Sequence, residues 1–137
     1  MGLTVLDAGV LIAFLDRNDA HHESAHDALR AALDRNDRIV LPASALAESL
    51  VGPSRRGAEA VSAVCELIER VPIRIAPLDD GVAVAAARMR AAHRTLKLPD
   101  AAVIATAEVL GADRLVTTDR AWPPAKALGL PAEIERL

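Results

Sequence analysis

The chain has 137 residues, is 52% apolar and carries a formal net charge of −3. That length suits one domain with one substantial core, which we expect to span residues 1–137. The acidic balance argues against a general nucleic-acid coat protein, and no charge-free apolar stretch of roughly 18 residues is present to span a membrane.

Strands and helices are predicted to alternate along the chain. Short apolar runs closed by turn residues or proline indicate buried strands, and longer segments with apolar residues at helical spacing indicate helices. In chain order the elements are a strand over 3–6, helices over 9–15 and 21–35, a strand over 39–41, helices over 43–51 and 58–71, a strand over 73–76, helices over 80–95 and 99–110, a strand over 115–117 and a short last strand within 133–137. This alternation is typical of an α/β protein with a mostly parallel sheet.

Turn and cap residues set several of these boundaries. We expect Asp19 and Asp79 to cap the helices that follow them. The segment 52–54, Gly-Pro-Ser, is expected to end the third helix. Prolines on both sides of 73–76 favour an edge strand, since proline cannot donate a hydrogen bond to a neighbouring strand.

Three other side chains have structural interpretations. Cys65 is expected to be buried in its helix, and Leu33 to lie on the apolar stripe of the helix over 21–35. Trp122 is interpreted as a packing anchor, with base stacking as the alternative. Because the chain has a single cysteine, an intrachain disulfide is excluded and a reducing cytoplasm is the expected location.

Four acidic residues lie where a strand ends or a helix begins. Asp7 ends the first strand and Asp119 follows the fourth, so both would lie at the carboxyl edge of the sheet, where sites of open α/β sheets form. Asp100 begins a helix, and Glu48 lies in the second turn of a helix that leaves the same edge. If the fold brings them together, repulsion would raise some of their pKa values. A Mg²⁺ or Mn²⁺ ion would remove that conflict, which predicts metal-assisted phosphodiester chemistry.

Each acid taken alone has an ordinary explanation as a turn, a helix cap or a solvated residue, and only the combination favours a site. Asp79 and Asp80 are assigned as caps. His22 and His26, at i and i+4, are spaced to share a metal ion. No third ligand is evident there, so a solvated helix surface is favoured.

Basic residues near the acids are candidates for RNA contact. Arg90, Arg94 and Lys97 recur at near-helical spacing just before the third acid, and Arg120 directly follows the fourth. These side chains would position RNA phosphates. The alternative is an exposed basic face or, for Arg120, an ion pair with the acid beside it.

The order of the acids and the residues around them resemble a known family. The order Asp, Glu, Asp, Asp resembles the PIN-domain nucleases. The segments LDAGVLIA at 6–13, LPDAAVIATA at 98–107 and LVTTDR at 115–120 resemble the VapC-type ribonuclease toxins of that family. The resemblance covers essentially the full length, and the last two segments are its most specific part.

The resemblance implies a Rossmann-like, three-layer PIN fold and a Mg²⁺- or Mn²⁺-dependent endoribonuclease. It also implies an RNA substrate, a cognate antitoxin protein and a homodimer. Residue by residue, Asp7, Glu48, Asp100 and Asp119 match the family's acids. By this resemblance the first and third would bind metal directly, and the other two directly or through water. The metal would lower the pKa of the attacking water.

One position departs from the family pattern. Many members carry serine or threonine two residues after the first acid, and this chain has Gly9 there. Thr117 or Thr118 is a candidate to supply the missing hydroxyl. The same glycine argues against a haloacid-dehalogenase phosphatase, which needs a second aspartate at that place.

Two other functions remain open at the level of sequence. One is a catalytically silent PIN-like module that binds RNA or protein, which a missing acid would favour; none is missing. The other is a PIN nuclease of RNA processing without a toxin role, which a neighbouring antitoxin gene would distinguish from a toxin.

Overall fold

The computed structural model describes all 137 residues. The strands are β1 (Leu3–Leu6), β2 (Arg38–Pro42), β3 (Ile73–Ala76), β4 (Arg114–Thr117) and β5 (Glu133–Arg136). The helices are α1 (Ala8–Leu15), α2 (His22–Asp34), α3 (Ala43–Arg56), α4 (Ala58–Arg70), α5 (Asp80–Ala92), α6 (Leu98–Val109) and α7 (Ala125–Leu128). No helix is both long and apolar enough to cross a membrane.

All five strands are parallel and lie in the order β3-β2-β1-β4-β5. The predicted α/β fold with a parallel sheet is therefore confirmed, and β3 is an edge strand as predicted. The weakly predicted last strand forms the opposite edge. The central strand β1 is buried along its whole length, which explains its uninterrupted apolar sequence.

The chain winds outward from β1 to β2 and β3, then returns to place β4 on the other side of β1. Because parallel crossovers are right-handed, the outward and returning helices cover opposite faces of the sheet. The winding direction reverses between β1 and β4, and open α/β sheets form their binding crevice at the carboxyl ends of such a strand pair. The ends of β1 and β4 are therefore where a site is expected.

Helix α6 is the most enclosed helix. It packs against β1, β2 and β4 and against α5. Residues 101–107 are buried without interruption. Their small side chains, mostly alanine, let this helix approach its neighbours closely on every side. Its first turn is thereby held rigidly in place.

Helix α3 runs further than predicted, because the Gly-Pro-Ser segment does not end it. Pro53 lies inside the helix, where it removes one backbone hydrogen bond but leaves the packing of the helix intact. The helix ends instead at Gly57, whose φ of 125° is open to glycine and strained for other residues. The N–H of Gly57 donates to the carbonyl of Pro53.

Three predictions about individual residues are wrong. Cys65 is exposed, because α4 buries only Val64 and Ile68. Leu33 is 42% exposed, since the buried stripe of α2 is made by its alanines and Leu29. Asp19 does not cap α2 directly but accepts a hydrogen bond from the N–H of His21, one residue before the helix. The predicted cap at Asp79 is confirmed.

The Asp37 carboxylate links neighbouring segments at the amino edge of the sheet. Asp37, just before β2, accepts hydrogen bonds from the Gly2 N–H at 3.0 Å and the Thr4 hydroxyl at 2.9 Å. Arg35 adds an ion pair at 3.0 Å. Burial alone would raise the pKa of Asp37, but the hydrogen bonds from Thr4 and Arg35 outweigh burial and lower it. This carboxylate is fully partnered and has a structural role.

We expect Asp37→Asn to reduce the free energy of unfolding at pH 7 by about 1–3 kcal/mol, because a charged acceptor of several donors is lost. The pKa of Asp37 is lower in the folded protein than in the unfolded chain. Its contribution is therefore present above the ordinary value of 3.8 and is lost as the pH falls through the folded-state pKa. Urea denaturation between pH 7 and pH 3 measures this loss.

The control for this variant is Asp34→Asn, which changes an exposed carboxylate on α2 that has no side-chain hydrogen bond. It should not lower the free energy of unfolding at any pH, because Asp34 lies at the C-terminal end of α2, where loss of a negative charge is slightly favourable. An Asp37→Asn deficit of equal size at pH 7 and pH 3 would contradict the assignment.

Candidate active site

Asp7 occupies the turn between the end of β1 and the start of α1. Its backbone N–H donates to the Val116 carbonyl of β4 at 2.9 Å. One carboxylate oxygen caps α1 by accepting the Ala8 N–H at 2.8 Å, and the other accepts the Thr117 hydroxyl at 2.8 Å. The residue is only 8% exposed. Both oxygens are therefore held in place at the reversal point of the sheet.

Thr117 links two of the predicted acids. Its hydroxyl, fully buried, donates to Asp7 and also accepts the N–H of Asp119 at 3.0 Å. Asp119 in turn accepts the Ala121 N–H at 2.8 Å. One side chain at the end of β4 therefore orients the buried carboxylate and the loop that carries the next one.

Asp100 and Glu48 approach from the helices. Asp100 lies half-buried in the first turn of α6, where the positive end of the helix dipole favours a carboxylate. Glu48 is exposed in the second turn of α3, as predicted, and α3 contacts both α1 and α6. The helices that carry these carboxylates therefore pack on one another.

The charges of the acids act on Asp7. Burial raises the pKa of Asp7 above its ordinary value. Hydrogen bonds from Thr117 and Ala8 oppose that rise in pKa. The negative charges of Glu48 and Asp119 add to it, which requires both side chains to lie near Asp7.

Asp100 belongs to the same electrostatic cluster. Burial raises the pKa of Asp100, and the charges of Asp7 and Asp119 raise it further. The charge of Lys97 and the indole N–H of Trp122 lower this pKa. The indole N–H is buried and faces the carboxylate without the geometry of a formed hydrogen bond. Asp7 is thus within electrostatic reach of the other three acids, and Asp100 is also within reach of Asp119. We call these residues, Asp7, Glu48, Asp100 and Asp119, the acidic cluster.

The acidic cluster suits a hard divalent cation in chemistry. Its donors are all carboxylate oxygens, and none of them forms an ion pair with arginine, lysine or histidine. Hydrogen bonds to Asp7 and the nearby charge of Lys97 offset the mutual repulsion of these carboxylates only in part, because the pKa values of Asp7 and Asp100 remain raised. The side chains as placed do not bring any three of the acids close enough to hold one ion. Binding would require side-chain rotation, for which the exposed Glu48 has the most freedom.

Among the predicted basic residues, Lys97 is the one whose charge acts on an acid of the cluster. Lys97 immediately precedes α6 and lies near enough to influence Asp100. Arg90 and Arg94 are exposed and form no ion pair. Arg120 donates to the Leu137 carbonyl at 3.2 Å and forms no ion pair with the acid beside it.

The sequence did not reveal two features near the cluster. One is the Trp122 indole facing Asp100; the burial of the ring does confirm its predicted packing role. The other is a groove of about 410 Å³ that includes Glu48 in its wall. Its lining, which defines the α3–α4 groove, is Ile12, Leu15, Glu48, Ser49, Gly52, Pro53, Arg56, Ala60, Ala63 and Val64. The only indication of this groove in the sequence is the apolar periodicity of α4.

The histidine pair has a structural explanation. His22 Nδ1 lies 2.7 Å from the Ala13 carbonyl, and the ring of His26 stacks on Phe14 with centroids 4.3 Å apart. These contacts hold α2 against α1. No third ligand lies near enough to complete a metal site there.

We expect Thr117→Val to lower the free energy of unfolding by about 1–3 kcal/mol, because a buried carboxylate oxygen and a backbone N–H both lose their partner. It should also raise the pKa of Asp7 further, since the hydrogen bond that lowers it is removed. Urea denaturation and a carboxyl-carbon NMR titration without metal measure the two effects.

Thr106→Val is the matched control. The Thr106 hydroxyl is equally buried but donates only to the Ala102 carbonyl within α6. The control should leave the pKa of Asp7 unchanged. An Asp7 titration that is the same in wild type and Thr117→Val would refute the proposed link.

Comparison with known proteins assigns the family and the fold. The family model described as PIN domain matches residues 4–127. No curated protein matches the chain by sequence. Among solved structures, the VapC20 toxin of Mycobacterium tuberculosis, described as cleaving the sarcin-ricin loop, superimposes with a TM-score of 0.70 at 18% identity, over 86% of this chain and 91% of that one.

Two complexes are similar in fold as well. VapBC2 of Rickettsia felis, bound to a fragment of its promoter DNA, has a TM-score of 0.74 at 15% identity, over 98% of each chain. A toxin-antitoxin complex of Klebsiella pneumoniae has a TM-score of 0.70 at 22% identity, over 86% of this chain and 88% of that one. At these identities the likeness is one of fold.

Proposed function

Because the chain belongs to the PIN domain family, we propose that it is a metal-dependent endoribonuclease, the toxin of a VapBC-type toxin–antitoxin pair. The observation that carries this proposal is the acidic cluster. Burial and neighbouring carboxylates raise the pKa values of Asp7 and Asp100, and no member of the cluster forms an ion pair. Shifts of this kind are common at functional sites.

The chain's own residues would divide the work of the reaction. Asp7 and Asp100 are proposed as direct ligands of Mg²⁺ or Mn²⁺, with Glu48 and Asp119 binding directly or through water. When bound, the metal would lower the pKa of the attacking water and offset charge on the phosphate. Thr117 would hold Asp7 in position, and the buried Trp122 would keep bulk water from Asp100.

RNA is the proposed substrate, and the basic residues near the cluster would bind its phosphates. Lys97, Arg90, Arg94 and Arg120 are exposed, and none of them forms an ion pair. Such contacts position a nucleic acid without reading its sequence. Support for a nucleic-acid substrate of this kind comes from the fold shared with the Mycobacterium tuberculosis VapC20 toxin, which is described as cleaving the sarcin-ricin loop.

A cognate antitoxin is the proposed regulator, and we place it in the α3–α4 groove. The groove opens beside Glu48, and half of its lining is hydrophobic, so an apolar segment seated there would cover part of the acidic cluster. Arg56 in its wall would pair with an acidic residue of the partner. The solved VapBC and toxin-antitoxin complexes of the same fold contain an antitoxin partner.

We further propose that residues 1–137 act as a single PIN domain in the cytoplasm and form a homodimer. Exposed apolar side chains on the α5–α6 pair, including Val84 at 70% and Leu98 at 56%, provide surface for self-association.

The second candidate function is a catalytically silent PIN-like binding module. It is favoured by one observation, namely that no three carboxylates of the cluster converge closely enough to hold an ion as placed. The two functions differ in whether a divalent ion binds and whether RNA is cut.

We expect the purified protein to cut members of a panel of tRNA and ribosomal RNA fragments with Mn²⁺ or Mg²⁺, and not with EDTA. Asp100→Asn should reduce the rate by about 100-fold or more, the scale of losing one electrostatic group at a reacting centre. The matched control is Asp80→Asn, which changes an exposed carboxylate in the first turn of another helix and should cut like wild type. Gel-resolved cleavage rates and the Mn²⁺-induced shift in melting temperature are the measurements.

The outcomes separate the candidates. Metal-dependent cutting that Asp100→Asn abolishes supports the nuclease. Equal cutting by Asp100→Asn would mean a contaminant or a wrong site. No cutting together with no Mn²⁺-induced shift would favour the silent module.

The groove assignment predicts a second effect. Ala63→Glu places a charge in the α3–α4 groove and should weaken rescue of growth by the small protein encoded beside this gene, while leaving RNA cleavage unchanged. Ala20→Glu, which changes an exposed alanine in the turn before α2, is the control and should be rescued normally. Growth after co-expression and pull-down of the pair measure the effect. Equal rescue of both variants would place the antitoxin elsewhere.

A further inference from the structure

Gly9 is favoured at its position by its lack of a Cβ, and not by the backbone conformations that only glycine adopts easily. It lies in the first turn of α1, and unlike Gly57, Gly111 and Gly129 it does not have a positive φ. Glycine is less favourable than alanine in a helix, because it loses more backbone freedom on folding. A reason other than conformation must therefore favour a residue without Cβ here.

The space beside Gly9 is taken by Thr118. A Cβ at position 9 would overlap the Thr118 hydroxyl oxygen at a separation that Cβ atoms essentially never show. The Cβ and Cγ2 of Thr118 would lie at 3.5 and 3.7 Å, which is ordinary contact. The threonine hydroxyl thus fills the place where a side chain at position 9 would begin.

The backbone of Thr118 is held on both sides by the acidic cluster. Thr117 before it is bonded to Asp7, and Asp119 after it donates its N–H back to the Thr117 hydroxyl. Thr118 itself is half-buried, and its hydroxyl forms no hydrogen bond with the protein. The backbone of Thr118 is therefore held next to Asp119, and its hydroxyl is left free for a ligand.

We propose that Thr118 is a catalytic residue whose hydroxyl donates a hydrogen bond to a non-bridging oxygen of the scissile RNA phosphate. Gly9, which has no Cβ, leaves the space that this hydroxyl occupies. This inference rests on the proposed function, because it assumes that a phosphodiester is bound at the acidic cluster.

The kinetic test uses variants that keep the shape of the side chain. Thr118→Val removes the hydroxyl and should lower kcat for cleavage of the most rapidly cut RNA by about tenfold or more, the scale of one hydrogen bond to a charged oxygen, with little change in KM. Thr118→Ser keeps the hydroxyl and should retain most of the rate. The double variant Gly9→Ser/Thr118→Ala should cut faster than Thr118→Ala alone, because it returns a hydroxyl to the same place.

The packing test needs no metal and no activity. Measured in EDTA, Gly9→Ala should lower the melting temperature of the wild type, because the new Cβ meets the Thr118 hydroxyl. In a Thr118→Ala background the same change should raise the melting temperature, since the overlap is gone and alanine favours the helix. The reversal of sign is the expected result.

Each result decides the inference. A tenfold loss in Thr118→Val, with recovery in Thr118→Ser, supports it. Wild-type cutting that is unchanged in Thr118→Val would overturn it and leave the proposed nuclease intact. A stabilising Gly9→Ala in the wild type would overturn the packing relation. A wild type that cuts no RNA would overturn the proposed function and the catalytic role of Thr118 together.

Discussion

The hydrogen bond between the Thr117 hydroxyl and Asp7 is the interaction on which the candidate site depends. It joins the ends of β1 and β4, the neighbouring strands between which the winding of the sheet reverses. It also satisfies an oxygen of a nearly buried carboxylate that neighbouring charges would otherwise disfavour. The loop carrying Thr118 and Asp119 takes its position from the same hydroxyl. Loss of the Thr117 hydroxyl would therefore loosen Asp7 and Asp119. Glu48 and Asp100 are held by their helices instead.

Carboxylates at the two edges of the sheet have surroundings that shift their pKa values in opposite directions. At the amino edge, Asp37 is saturated with donors and an arginine, and the pKa of Asp37 is lowered. At the carboxyl edge, the pKa values of Asp7 and Asp100 are raised by burial and by other carboxylates. The first arrangement is stable on its own and serves the fold. In the second arrangement added positive charge would stabilise the ionised carboxylates further, which is typical of a functional site.

Much of the fold could be predicted because its signals are local. Apolar runs ending in turn residues marked the strands, and Asp79 and Pro99 marked helix starts that the structure confirms. The failures share a cause, which is tertiary packing overriding a local signal. Pro53 is tolerated inside α3 because the helix keeps its packing, and Cys65 is exposed because α4 contacts the core along a narrow stripe.

The sequence by itself determined that acidic residues would stand at strand ends and helix starts, since each position follows from its immediate neighbours. Only the tertiary structure decided how they interact, because Asp7 meets its partner 110 residues away. The fit of Gly9 against Thr118 and the burial of the Trp122 indole beside Asp100 likewise join segments that are distant in the chain. Residue identity sets which groups are available, and the parallel packing of β1 against β4 sets which of them touch.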